Sequence, residues 1–323
     1  MKAAVYYHTG DPSVFRYEEV PDPVCRPGGV IIDVKAIGIQ GGDTLHRQGG
    51  EMTGVPHIVG YQAAGVIREV GGNVTGRYPG QRVVATMPSG SHASLVSVPE
   101  AATYEVPEGL SLELAAGVPI EFGTADDCLF EFGHLKAGET VLVQAGGGGV
   151  GLAAVQLAKR AGATVLATAS SQEKLDRLRE FGVDHGINYK AENFVARAMQ
   201  LTKGRGVDLV VDSVGGKTLE GSISALGYRG RVSWVGNAGR EEHVADARAL
   251  MQKNASLTGV FFGAELQAQP QRCRAMIERL LGDVARGQLK VVVDRKFALS
   301  DAAEAHRYIE GRSAFGRVLL VPN

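Results

Sequence analysis

The residues with the clearest chemical potential lie in one run, Val141-Leu142-Val143-Gln144-Ala145-Gly146-Gly147-Gly148-Gly149-Val150-Gly151-Leu152. Gly146, Gly148 and Gly151 spell G-x-G-x-x-G, with an apolar strand-like segment before them and a helical segment after. Without β-carbons the backbone can turn tightly and approach a pyrophosphate, whose charge is stabilised by open amides at the positive end of the helix. Five glycines in six residues also make a tight strand-to-helix turn with no ligand, but the strand, helix and following strand are the context that dinucleotide binding requires. About 20 residues on, a site for NAD would place Asp or Glu to accept from the ribose 2′-hydroxyl. Here the second strand ends Ala167-Thr168-Ala169-Ser170-Ser171, with Lys174 following. Two hydroxyls and an ammonium suit a 2′-phosphate, so NADPH is the expected cofactor. Ser170 with Glu173 also reads as a capping box, and Lys174 as a solvated first-turn residue.

Metal chemistry finds no ligand set in the sequence. Eight histidines and three cysteines (Cys25, Cys128, Cys273) form neither H-E-x-x-H nor C-x-x-C, so no metal site is expected. An odd number of scattered cysteines indicates a reducing compartment, with the cytoplasm as the default. The opening residues are too poor in apolar side chains for a signal sequence, and no stretch reaches the 18 or so needed to span a bilayer. The 34 basic and 35 acidic side chains leave a net charge of −1, without like-charge runs. Neither nucleic acid nor a membrane surface is an expected partner; a small-molecule substrate is.

The elements that must position the glycine run fall into two grammars. At 323 residues two domains are expected. Up to about residue 118, short runs punctuated by Gly and Pro (Ala3 to Tyr7, Val30 to Ile39, His57 to Val70, Arg82 to Ala85, Ala93 to Val98) predict an antiparallel β-rich domain. From Thr140 the pattern becomes strand, glycine turn, helix, strand, as in a parallel α/β sheet. Strands are predicted at Thr140 to Gln144, Thr164 to Ala169, Val207 to Asp212, Arg231 to Val235 and Leu257 to Phe262. Helices are predicted at Leu152 to Ala161 and Gln172 to Phe181, each stopped by a glycine. A last helix near Arg272 to Arg286 precedes short strands at Val291 to Val293 and Arg317 to Val321, read as rejoining the first domain. Glycine, 44 of 323 residues, is about twice its usual share of roughly 7 %. With 44 % hydrophobic residues, this marks turns and close approaches, not disorder.

Over nearly its whole length the chain resembles the medium-chain dehydrogenase/reductase superfamily in its zinc-independent quinone oxidoreductase branch. The resemblance is carried by Gly38-x-Gln40-x-x-Asp43, Pro56-x-x-x-Gly60, Ala64-Gly65-Val66, Gly80-x-Arg82-Val83, Gly123-Thr124-Ala125, the Ala145 to Gly151 loop, Asp212-Ser213-Val214-Gly215-Gly216, Gly230-Arg231-Val232 and Gly316-Arg317-Val318-Leu319-Leu320. It implies an α/β fold, a GroES-like β-rich catalytic domain with an inserted Rossmann doubly wound parallel sheet. The implied division is 1–120 and 265–323 for the catalytic part and 121–264 for the Rossmann domain, with a homodimer formed through the edge strand near Leu257 to Phe262. The implied cofactor set is Thr124, Gly146, Gly148, Gly149, Val150, Gly151, Ser170, Ser171, Lys174, Tyr189 and Arg312. To these are added Val214, Gly215, Phe261, Phe262 and Gly263 around the nicotinamide.

Zinc-containing relatives place a Cys at the position of Gln40 and a His-Glu pair at Tyr61-Gln62. The resemblance therefore implies hydride transfer without a Lewis acid, to a quinone or an α,β-unsaturated carbonyl. Gln40 and Tyr61 are the expected catalytic donors to the substrate oxygen, although Tyr61 reads equally as a half-buried side chain with its hydroxyl on the backbone. Asp43 and His46 read as holding the turn. Where the branch usually has Asn, Tyr and Glu, this chain has Gln40, Leu45 and Gln62, and Asp126-Asp127 replace a more apolar pair. Two other activities share this fold: a zinc-free carbonyl or enoyl-thioester reductase, and a non-enzymatic NADPH-binding protein like the zeta-crystallins.

Overall fold

The computed structural model describes residues 1–322, and the chain divides into two units, Met1–Ile120 with Gln269–Asn323 and Glu121–Ala268. The first unit holds β1 (Lys2–Val5), β2 (Arg16–Glu19), β3 (Gly29–Gly38), β4 (Gln62–Val70), β5 (Arg82–Thr86), β6 (Leu95–Pro99) and β7 (Thr103–Glu105). Between β3 and β4 lies α1 (Gly41–Gly49), and after β7 comes α2 (Leu112–Ala115). The chain passes through α3 (Pro119–Asp126) into the second unit. There it forms β8 (Thr140–Val143), α4 (Gly149–Arg160), β9 (Thr164–Ala169), α5 (Gln172–Arg179), β10 (His185–Asn188), α6 (Phe194–Leu201), β11 (Val207–Asp212), α7 (Gly216–Ala225), β12 (Leu226–Trp234), α8 (Arg248–Lys253), β13 (Ser256–Gly259) and α9 (Phe262–Ala268). It returns to the first unit as α10 (Pro270–Ala285), β14 (Val293–Ala298), α11 (Ala302–Glu310) and β15 (Arg317–Val321).

The first unit is built on a seven-stranded sheet in the order β14-β15-β3-β4-β5-β7, with β6 also pairing β3. Its tail strands therefore share a sheet with strands from the start of the chain, which is why the α/β segment is an insertion. The inward positions of these strands, Ile32, Ile37, Ile67, Val83 and Leu320 among them, form one buried cluster. On α10, Cys273, Met276, Ile277, Leu280, Leu281 and Val284 are buried at three- and four-residue intervals, one apolar stripe along the helix.

In the second unit all strands are parallel, in the order β10-β9-β8-β11-β12-β13. Renumbered within the unit this is 3-2-1-4-5-6, a doubly wound sheet whose order reverses between β8 and β11, where a ligand crevice opens at the carboxyl ends. Leu142, Leu166, Val210 and Val232 are buried in its core, as expected of strands covered on both faces.

Several predicted elements are corrected. The run His57 to Val70 is not one strand. His57 makes only an isolated bridge to Tyr6, and β4 starts at Gln62, because Gly60 takes φ +116° and turns the chain. The strand predicted at Leu257 to Phe262 stops at Gly259, and Phe262 begins a helix with its side chain buried. The strand predicted from Arg231 begins at Leu226, and that predicted at Val291 to Val293 runs from Val293 to Ala298.

Candidate functional site

In the second unit the glycine run forms the turn from β8 into α4. Ala145 takes φ +52°, and the amides of Gly146 and Gly148 are used internally, donating to Thr168 O and Ala145 O, each at 2.9 Å. These two glycines therefore shape the turn. Gly148 is the N-cap, and Gly149, Val150 and Gly151 form the first helical turn, whose amides lack intrahelical acceptors and point along the positive end of the dipole. A β-carbon on Gly151 would lie 2.3 Å from Ala145 O. The helix can pack this closely on its own turn only with glycine there. No acidic side chain stands in that first turn, and Lys159 and Arg160 complement the other end. This cradle fits a pyrophosphate.

The end of the neighbouring strand is equally specific. Ser171, not Ser170, is the N-cap of α5, its hydroxyl accepting from Lys174 N at 3.3 Å. The expected Ser170–Glu173 capping box is corrected by one residue, and the Ser170 hydroxyl is released from capping. Tyr189 N donates to Ala169 O at 3.2 Å, which brings the half-exposed Tyr189 beside the end of β9, next to Ser170. Arg312, in the other unit, takes φ +56° just after α11.

Val214 and Gly215 follow the end of β11, their amides donating to Asp212 Oδ1 at 2.8 and 2.9 Å. Thr124 is buried on α3, and Phe262 packs its ring against the neighbouring Gly123. Phe261, in contrast, is exposed, its ring against Gly263. The two phenylalanines therefore diverge rather than form one wall.

In the first unit Gln40, two residues past the end of β3, is the N-cap of α1, and its amide donates to Asp43 Oδ2 at 2.8 Å. Asp43, fully buried, holds the turn. The Gln40 side chain is buried, with Nε2 3.5 Å from Gly38 O. Gln62 Oε1 accepts from Ile120 N at 3.1 Å, a main-chain support. Tyr61 sits in the break before β4, its ring so close to Gly42 that a β-carbon there would lie 2.8 Å from Cε2. Burial raises the Tyr61 hydroxyl above its ordinary range, with Asp43 and Tyr6 adding to the shift, so it stays a protonated donor. Tyr6 Oη and His46 Nδ1 are hydrogen-bonded at 3.1 Å, and the His46 ring stacks on His57. Among the described residues no three His, Cys, Asp or Glu side chains converge where a metal ion would sit.

One feature of the site escaped the sequence argument. Gln144, Thr168, Ser222 and Asp212 are buried and hydrogen-bonded to one another beneath the glycine turn. The signal was a polar residue in the last row of apolar strands, visible in Val-Leu-Val-Gln and Leu-Val-Val-Asp.

The comparisons with known proteins agree with this geometry. Residues 26–108 match the alcohol dehydrogenase GroES-like domain, and residues 149–282 the zinc-binding dehydrogenase domain. The chain is 33% identical to a 2-haloacrylate reductase from Burkholderia sp, covering 99% of this chain and 98% of that protein. It is 34% identical to a quinone oxidoreductase from Pseudomonas aeruginosa, over 97% of each. The crystal structure of Escherichia coli quinone oxidoreductase complexed with NADPH superposes with a TM-score of 0.95 at 29% identity, over 100% of both chains. The chain belongs to the quinone oxidoreductase branch of the medium-chain dehydrogenase/reductase superfamily.

Proposed function

We propose that this protein is an NADPH-dependent reductase that transfers hydride to a quinone or to the β-carbon of an α,β-unsaturated carbonyl, without zinc. The observation that carries this reading is the cradle at the β8–α4 turn, with no acid at the end of β9 and Ser170, Lys174 and Tyr189 in that region instead. The relatives support it. One acts on 2-haloacrylate, an alkene conjugated to a carboxylate, and the Escherichia coli structure carries NADPH.

Bound NADPH supplies the hydride. The first-turn amides of α4 would hold its pyrophosphate, and Ser170, Lys174 and Tyr189 would select its 2′-phosphate. In the substrate, negative charge develops on the carbonyl oxygen as hydride reaches the conjugated carbon, and a donor already aimed there lowers the barrier. Gln40 Nε2 and the protonated Tyr61 hydroxyl are the two candidates. Neither needs a metal, and among the described residues no three His, Cys, Asp or Glu side chains converge to hold one. Alkene reduction is favoured over carbonyl reduction, because an unconjugated carbonyl would rely on stronger polarisation than two neutral donors give.

We further infer a homodimer through the open side of β13, which is unpaired beyond β12. With Phe262 turned inward, Phe261 remains an exposed apolar side chain just beyond that edge.

The test is NADPH consumption with 9,10-phenanthrenequinone and with a simple enone, in the presence of a chelator. NADPH should be preferred to NADH at least about tenfold in kcat/KM, since a charge-assisted contact to the 2′-phosphate is worth roughly 1.5 to 3 kcal/mol. Equal use of both cofactors, or activity lost with the chelator and restored by zinc, would overturn the reading.

A further inference from the structure

The polar groups beneath the cofactor crevice form a single directed chain. In register, Val143 of β8 lies beside Ala167 of β9 and Val211 of β11. The next residue of each strand, Gln144, Thr168 and Asp212, therefore shares one row across three adjacent strands and projects to the same face. Ala145 N donates to Thr168 Oγ1 at 3.1 Å, and Thr168 Oγ1 donates to Gln144 Oε1 at 2.7 Å. Gln144 Nε2 donates to Ser222 Oγ at 3.1 Å, and Ser222 Oγ donates to Asp212 Oδ2 at 2.7 Å. Asp212 Oδ1 then receives the amides of Val214 and Gly215. All four side chains are 2 % exposed or less.

Two features separate this chain from ordinary satisfaction of buried polar groups. Every donor points toward Asp212, so the Gln144 amide has one permitted orientation and each hydroxyl has one rotor position. Both ends also terminate on backbone that faces the crevice: the first residue of the glycine turn at one end, the loop after β11 at the other. These two loops flank the point where the strand order reverses.

We infer that Thr168, Gln144, Ser222 and Asp212 are positioning residues, which fix the spacing between the pyrophosphate-binding turn and the Val214–Gly215 loop. The inference rests on the cofactor reading above. The pyrophosphate and the nicotinamide ribose of a dinucleotide are joined by a short linker of a few rotatable bonds, so a fixed separation of the two loops lets it engage both at a smaller ordering cost. Loosening either end relaxes the other, because Thr168, Gln144 and Ser222 are each held by the neighbour on either side of them in the chain.

The test is a double-mutant cycle on NADPH affinity, followed by the fluorescence of the bound dihydronicotinamide. Thr168→Val and Ser222→Ala lie at opposite ends of the chain. Each should weaken NADPH binding about fivefold, and the double variant by only about five- to tenfold, because contacts in one network do not add. Thr168→Ser, which keeps the hydroxyl, should remain within about twofold of wild type. Gln144→Met, of similar length with no polar end, should reproduce the single-variant loss, and melting curves identify any variant that fails to fold. Effects that multiply to about 25-fold, or a Gln144→Met protein with wild-type affinity, would overturn the coupling while leaving the cofactor assignment in place. A wild-type protein that gives no saturable NADPH signal removes both.

Discussion

At the glycine turn of the parallel sheet the groups offered to a ligand are main-chain amides, whereas at the turn before α1 they are a side-chain amide and a phenol. The first arrangement follows from spacing. Three glycines, a strand and a helix place Gly149, Val150 and Gly151 at the open end of α4 whatever surrounds them. The second depends on packing as well: Tyr61 takes its position from the preceding Gly60, whose φ of +116° breaks the strand, and from the distant Gly42, which leaves room for its ring. Binding thus rests on the backbone, and the proposed chemistry on two side chains that only packing could bring into use.

That contrast is testable by asking which parameter each region moves. The largest effect should come from the side chains. Losing one preorganised donor to an oxyanion typically costs about 10² to 10³ in rate, so Gln40→Ala should lower kcat by that order and leave NADPH affinity nearly unchanged. Tyr61→Phe should be milder, since solvent can protonate an enolate after hydride transfer. Steady-state kinetics and NADPH titration separate the two parameters, and a Gln40→Ala enzyme with wild-type kcat would move the oxyanion role to backbone amides.

Gly151→Ala should show the opposite pattern. The added β-carbon meets a backbone oxygen that cannot swing aside. Overpacking of this kind costs roughly 1 to 3 kcal/mol, and NADPH affinity should drop at least about tenfold as the first-turn amides shift. Thermal melting and fluorescence titration measure both, and unchanged values would mean that the turn tolerates a looser helix.

Lys174→Ala sharpens the comparison within the binding region. Its amide is used by the Ser171 cap and would remain so, while its ammonium would be lost. The preference for NADPH over NADH should shrink by about tenfold, chiefly through KM, as expected for one charge-assisted contact. An unaltered ratio would leave the 2′-phosphate to Ser170 and Tyr189.

A further effect is expected on stability, and it lies away from both regions. His92 Nε2 is 3.1 Å from His306 Nε2 in the interior of the first unit, and burial pushes the His92 pKa down to about 3. The unfolded chain therefore binds more protons than the folded one between that value and about 6.5, so stability should fall as pH is lowered through this window and be restored above it. Urea melts at pH 7 and 5 should show the loss, and His92→Gln should flatten it.

Patterns that repeat along the chain were legible early. Thr164–Ala169, Val207–Asp212 and Arg317–Val321 occupy the predicted boundaries, and α4 and α5 end just before Gly162 and Gly182, as the glycine stops implied. Local signals failed where a single residue changed the outcome. The apolar run through Phe261-Phe262 looked like a continuing strand, yet Gly259 ended it and Phe262 was captured by the space over Gly123. The cap of α5 fell on Ser171 instead of Ser170 because either serine satisfies the local rule, and the length of β9 decides between them.

From the sequence alone come the parallel sheet, the insertion, the glycine turn and the missing acid at the second strand, because each depends on periodicity or on the conformational range of one residue type. Tertiary structure decided the rest. It consumed the Gly146 and Gly148 amides inside the turn, released the Ser170 hydroxyl, and raised the Tyr61 hydroxyl above its ordinary range by half-burying it near Asp43 and Tyr6. It also aligned Gln144, Thr168 and Asp212 in one row. Hydrogen-bond partners and dielectric surroundings are set by residues far apart in the chain, and strand register, which no local pattern encodes, determines which of them meet.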